Sequence, residues 1–119
     1  MTEYDVEAVA DELGLTAADL REAFELYFED AFEIIRACGA ALEIPDYDAA
    51  AKAMHALKGL SNNYRIRDIG AAALGLETLA KTGRGAEMAR YLPGIQGELA
   101  TIREQIRSFY AKPSESSGS

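Results

Sequence analysis

The feature that most constrains this chain is one long run of apolar residues spaced three and four positions apart. Apolar side chains at this spacing lie along one face of an α-helix, so the run predicts a single long amphipathic helix. We expect it to begin after Thr16, an N-cap residue with Asp19 at the capping-box position, and to end before Pro45. The members of the run are Leu20, Phe24, Tyr27, Phe28, Ala31, Ile34, Ile35, Cys38 and Leu42.

Four shorter helices are predicted around this one. The first covers residues 5–13 and ends at Gly14, and the next covers residues 48–64, with Asp46 or Asp48 as its N-cap. A further helix is capped by Asp68 and ends in the breaker at residues 82–85. The last region, residues 86–111, contains Pro93, where we expect a break or kink.

No segment alternates apolar and polar residues, so no strand is predicted. Four substantial helices, each with one apolar face, predict an all-α fold, namely an elongated antiparallel four-helix bundle with a short extra N-terminal helix. A length of 119 residues fits one domain, which we place at residues 1–111. Residues 112–119 are rich in Ser, with Pro and Gly, and are interpreted as a disordered tail or linker.

Composition excludes several classes of function. The net charge of −8 argues against nucleic-acid binding, which requires clustered basic residues. One cysteine, Cys38, cannot form an internal disulfide and is expected in the core, and one histidine with one cysteine is too few for a structural zinc site. No metal or cofactor is predicted. We find neither a signal peptide nor an apolar run that would span a membrane, so we expect a cytoplasmic protein.

The only histidine lies on the outer face of its predicted helix. On a helical wheel, the leucines of residues 48–64 fall opposite His55, whereas Ala51, Lys58, Gly59 and Asn62 fall on its side. A glycine inside a helix costs about 0.5–1 kcal/mol relative to alanine. This cost indicates that another molecule approaches the backbone beside the histidine.

The segment from His55 to Ser61, His-Ala-Leu-Lys-Gly-Leu-Ser, resembles the His-x-x-Lys-Gly-x-Ser/Ala motif of histidine-containing phosphotransfer (HPt) domains. Residues 69–80 look like the fourth helix of that family, and the resemblance extends from about residue 20 to about residue 109. It implies a four-helix bundle that carries a phosphoryl group in a two-component phosphorelay and is not itself an enzyme. The implied partners are a histidine or hybrid kinase and the aspartate of a response-regulator receiver domain. Magnesium and the catalytic groups would come from the partner.

The resemblance also implies a role for each matching residue. His55 would be the phosphoacceptor, Lys58 would offset the charge of the phosphoryl oxygens, and Gly59 would leave room for the receiver. Ser61 would pack into the bundle. Glu77 matches a glutamate that, in chemotaxis-kinase phosphotransfer domains, accepts a hydrogen bond from one ring nitrogen; the alternative is a solvated helix charge.

In the HPt family, receiver domains dock beside the histidine, so the resemblance implies a contact surface there. Candidate contact residues are Ala51, taken as exposed, with Asn62, Leu74 and Phe32, although packing at the bundle edge is the favoured interpretation of Phe32. Arg65 stands where the family commonly has glycine, so the turn requires an unusual dihedral at Asn63 or Arg65, or a longer helix.

Two other interpretations remain beside the phosphocarrier. The chain is alternatively a helical adaptor that binds receivers or kinases without being phosphorylated, or a plain bundle whose apolar faces serve only a core or a homodimer.

Overall fold

The computed structural model describes residues 4–111, which form five α-helices and one 3₁₀ turn. The helices are α1 (Val6–Leu13), α2 (Ala17–Glu43), α3 (Tyr47–Asn63), α4 (Arg67–Lys81) and α5 (Met88–Ala111), and the 3₁₀ turn is Gly85–Glu87. Strands are absent from this part of the chain, which confirms the predicted all-α fold. The tail predicted at residues 112–119 lies outside the described residues.

The four longer helices form an elongated bundle, and with α1 the structure measures 56 × 23 × 23 Å. Each packs against the next in chain order and α5 returns to α2, so α3 has α2 on one side and α4 on the other. The Tyr27 hydroxyl shares a buried 2.7 Å hydrogen bond with Ser61, and the Cys38 thiol lies against the Ala50 carbonyl, so α2 and α3 are antiparallel. The core is filled mainly by Phe24, Tyr27, Met54, Leu57, Ile69, Leu99 and Ile106.

The predicted ends of α1 and α2 are confirmed. Gly14 ends α1 with φ 71°, a left-handed conformation that glycine adopts without steric cost. Thr16 and Asp19 form the reciprocal capping box, and α2 ends at Glu43, before Pro45. Of the two candidates for the N-cap of α3, the structure uses Asp46, whose carboxylate accepts the Ala49 amide hydrogen.

One prediction about a helix end was wrong. Asp68 does not cap α4, because the helix already begins at Arg67 and buried Ile66 occupies the cap position without a side-chain hydrogen bond. The core packing of Ile66 fixes this start, and Asp68 instead lies in the first turn, where a carboxylate complements the helix dipole. At Pro93, where a break or kink was expected, α5 continues without a break, and buried Leu92 and Ile95 lie on either side of it.

Arg65 makes the turn that carries the chain from α3 to α4. Its φ is 59°, which confirms the unusual dihedral expected where the family commonly has glycine. The Ile66 and Arg65 amides donate to the Ser61 and Asn62 carbonyls at 2.9 and 3.0 Å, the pattern of a Schellman motif. The Arg65 guanidinium also donates to Glu12 of α1 at 3.1 Å, so α1 is tied to this turn.

Candidate functional site

His55 is presented to solvent by the face of α3 that points away from the core. Met54 and Leu57 are fully buried, so the register of α3 is fixed by the core and the histidine is turned outward. The His55 side chain is 65% exposed, as its position on the helical wheel predicts. The exposed ring nevertheless has a neighbour, because α4 lies beside it.

Glu77 of α4 is the partner of the ring. Its side chain is only 5% exposed, although it carries a carboxylate, and its Oε2 lies 3.0 Å from His55 Nδ1. Charged groups are rarely this buried unless they are paired. The structure therefore pairs Glu77 with the His55 ring and does not leave it among the solvated helix charges.

Two lysines complete the surroundings of this carboxylate. Lys81 Nζ lies 2.8 Å from Oε2 and Lys58 Nζ lies 3.4 Å from Oε1. The hydrogen bond from Lys81 is the largest cause that lowers the pKa of Glu77, to about 2, with further contributions from His55 and from the charge of Lys58, while burial opposes the shift. Glu77 is therefore an anion at neutral pH.

The ionised carboxylate decides which ring nitrogen is free. A carboxylate only accepts hydrogen bonds, so His55 Nδ1 must donate its hydrogen to Oε2. In a neutral imidazole the lone pair then lies on Nε2, at the opposite edge of the ring from the Nδ1 contact. In that form of the ring, the arrangement leaves Nε2 as the nucleophilic nitrogen, and the ring itself is exposed.

A cleft of about 570 Å³ opens beside the histidine, between α3 and α4. Its lining includes both His55 and Glu77, together with the charged side chains of Asp48, Lys52 and Lys81. Ala51 lies in this lining but is buried, so its predicted exposure was wrong: α4 covers the flank of α3 on which it lies. The lining residues are Tyr47, Asp48, Ala51, Lys52, His55, Ala56, Glu77, Ala80 and Lys81.

The other predicted contact residues divide into two groups. Gly59 is exposed and a Cβ there would meet nothing within 4 Å, and Leu74, one turn before Glu77 on α4, is 47% exposed. Asn62 packs its side chain so closely on Gly70 of α4 that a side chain at Gly70 would overlap it. These three positions lie on the helices that carry the histidine and its glutamate.

Phe32 lies elsewhere. It is half-buried beneath the Arg103 guanidinium, 4.7 Å from the ring centroid, and lines a different cleft together with residues of α5. The structure does not bring Phe32 to His55. This geometry agrees with the packing interpretation of Phe32 at the bundle edge.

Sequence reasoning missed Lys81 and Tyr47. Lys81 follows Glu77 by four residues, which is the spacing of a helical ion pair and was a usable signal. Tyr47 lines the cleft and packs its ring on Gly85, which follows α4, and no local pattern links these two distant positions.

Within residues 4–111, no three His, Cys, Asp or Glu side chains come together as a metal ion would require. No helix in this part of the chain is long and apolar enough to cross a membrane.

A four-helix bundle that displays a single oriented histidine agrees with the resemblance to HPt domains. The comparison with family models agrees, because the model described as Hpt domain matches residues 22–107, from α2 to the last turns of α5. The chain belongs to the Hpt domain family, whose members act in histidine phosphotransfer between kinases and receiver domains in two-component signalling. Searches of curated proteins and of solved structures gave no match.

Proposed function

We propose that His55 accepts a phosphoryl group on Nε2 and exchanges it with the aspartate of a response-regulator receiver domain. The observation that carries the proposal is the 3.0 Å contact between Nδ1 of the exposed ring and the buried Glu77 carboxylate. This contact orients the ring and leaves Nε2 as the reacting atom. Membership of the Hpt family supports the class of reaction, and the geometry supports this histidine as its site.

The transfer balances without a further reactant. The Nε2 lone pair forms the N–P bond while the P–O bond of the aspartyl phosphate breaks, and its electron pair leaves with the aspartate carboxylate. The ring gains positive charge as the N–P bond forms. The Nδ1 hydrogen stays between His55 and Glu77, whose negative charge stabilises that developing cation.

Lysines supply the positive charge that a phosphoryl group requires. Lys58 follows His55 by one helical turn and its side chain is 27% exposed, so its ammonium is available beside the cleft. Lys81 lines the same cleft, so Lys58 and Lys81 together outweigh the single negative charge of Glu77. Lys52 also lies in the lining, but it is paired with Asp48 at 3.1 Å and adds no net charge there. In a chain with a net charge of −8, this local excess of positive charge favours binding of an anionic group at His55.

We propose that the receiver approaches over Gly59 and Leu74. Gly59 leaves the backbone of α3 open to a partner, and the exposed Leu74 offers an apolar contact on α4, close to Glu77. Asn62 and Ala51 border this surface. Magnesium and the remaining catalytic groups are supplied by the partner, and the carrier works in the cytoplasm.

The experiment is phosphorylation by a panel of phosphorylated receivers or active histidine kinases, followed by intact mass. We expect one added phosphoryl group that is acid-labile and that is absent from His55→Gln. Because His55 is largely exposed, this variant should keep the helical circular dichroism of the wild type. It should also still bind the receiver.

The contrary result is equally clear. A chain that binds receivers but gains no phosphoryl group across the panel would reject the proposal and support the adaptor. An adduct that persists in His55→Gln would place the reaction at another residue.

A further inference from the structure

One oxygen of Glu77 has two partners. Oε2 lies 3.0 Å from His55 Nδ1 and 2.8 Å from Lys81 Nζ, so the histidine and this lysine share it. Lys58 contacts the other oxygen at the longer distance of 3.4 Å. Oε2, the atom that contacts the ring, is thus held by a lysine of the same helix, α4.

A glutamate and a lysine four residues apart also form an ordinary helical ion pair, which on an exposed surface contributes little. The Glu77–Lys81 pair differs from that case because its two members differ in burial. The Glu77 side chain is 5% exposed and the Lys81 side chain is 65% exposed. The lysine therefore reaches from solvent to a carboxylate that water scarcely contacts.

We propose that Lys81 is a positioning residue for phosphoryl exchange: by holding Oε2, it fixes the carboxylate so that His55 keeps its hydrogen on Nδ1 and its lone pair on Nε2. The kinetic part of this inference rests on the proposed function. The part that concerns the ring tautomer does not.

The physical reason lies in the terminal torsion of glutamate. This torsion has broad wells, so the carboxylate is not fixed by its own rotamer. Without Lys81, the remaining cation is Lys58 on Oε1, and a poorly solvated carboxylate is drawn to rotate toward Lys58 or toward water. Oε2 would then leave Nδ1, and the ring would lose the acceptor that selects its tautomer.

Lys52 provides a matched control. It lines the same cleft and has the same charge as Lys81, but it pairs with Asp48 at 3.1 Å and has no contact with Glu77. Lys52→Met and Lys81→Met therefore remove the same charge from one cleft, while only the second removes a contact to Oε2. Lys81→Arg keeps a charged donor on α4.

The experiment has two readouts. Nitrogen-15 spectra of the His55 ring, recorded at a pH where the imidazole is neutral, give the fraction of the tautomer with hydrogen on Nδ1. Single-turnover transfer from a phosphorylated receiver gives the rate. For Lys81→Met we expect that fraction to fall and transfer to slow by about fivefold, the rate equivalent of one lost hydrogen bond. Lys52→Met should keep the wild-type tautomer and a rate within about twofold, and Lys81→Arg should restore the tautomer.

Wild-type ring spectra in Lys81→Met would overturn the inference, as would an equal effect of Lys52→Met. If the wild type accepts no phosphoryl group, the proposed function fails, and the ring spectra still decide whether Lys81 positions the carboxylate. Circular dichroism of each variant separates these results from loss of the fold.

Discussion

The charge of Glu77, rather than its shape, should set the rate of phosphoryl exchange. Glu77→Gln keeps a side chain of the same size with an oxygen that accepts the Nδ1 hydrogen, but removes the negative charge 3.0 Å from the ring. The transition state should then lose the attraction between that charge and the ring, which becomes positive as the N–P bond forms.

The magnitude follows from Coulomb's law. Two unit charges about 4 Å apart attract by about 4 kcal/mol at an effective dielectric constant of about 20, and by about 1 kcal/mol in bulk water. The ring is 65% exposed and the carboxylate 5% exposed, so the true value lies between these limits. Because the ring carries only part of a charge in the transition state, we expect a loss of about 1.5 kcal/mol, which slows transfer by about tenfold.

The assay is single-turnover transfer from a phosphorylated receiver, quenched at intervals and followed by intact mass. Asp48→Asn is the matched control, since Asp48 lines the same cleft and its loss removes the same charge, but it pairs with Lys52 and not with the ring. A Glu77→Gln protein that folds and transfers within about twofold of the wild-type rate would refute the reasoning. So would an equal slowing in Asp48→Asn.

Two further predictions concern stability. The pKa of Glu77 is lowered from 4.5 to about 2, chiefly by the hydrogen bond from Lys81, so its contribution is complete above the unfolded pKa and is lost as pH falls from about 4.5 toward about 2. Urea unfolding should show that, between about pH 5 and about pH 2.5, the free energy of unfolding falls by about 2 kcal/mol more in the wild type than in Glu77→Gln. This value is reduced because Lys81 and His55 are exposed to solvent. Parallel pH profiles of the two proteins would contradict the prediction. At the α3–α4 turn, Arg65→Ala should be about 1 kcal/mol less stable than Arg65→Gly in the same assay, because both lose the contact to Glu12 but alanine keeps the strain of a φ near 59°. Equal stabilities of these two variants would show that the turn carries no strain.

Much of the fold is encoded locally and was predicted for that reason. The apolar spacing from Leu20 to Leu42 favours a helix whatever packs against it. The Thr16–Asp19 capping box and Pro45 set the two ends of that helix through residues that are only a few positions away. Such signals need no knowledge of what packs nearby. The cap predicted at Asp68 was wrong because buried Ile66 outweighed the local preference.

By itself the sequence determined the all-α bundle, its helical order and the outward position of His55, because periodic spacing turns each apolar face to a common core. Only the tertiary structure decided which flank of each helix meets which neighbour. That choice buried Ala51, put Phe32 under Arg103, and joined Glu77 to a histidine 22 residues away. A helical wheel shows how far a side chain points from the core but does not show what lies beside it, because the neighbour is set by the packing of all four helices at once.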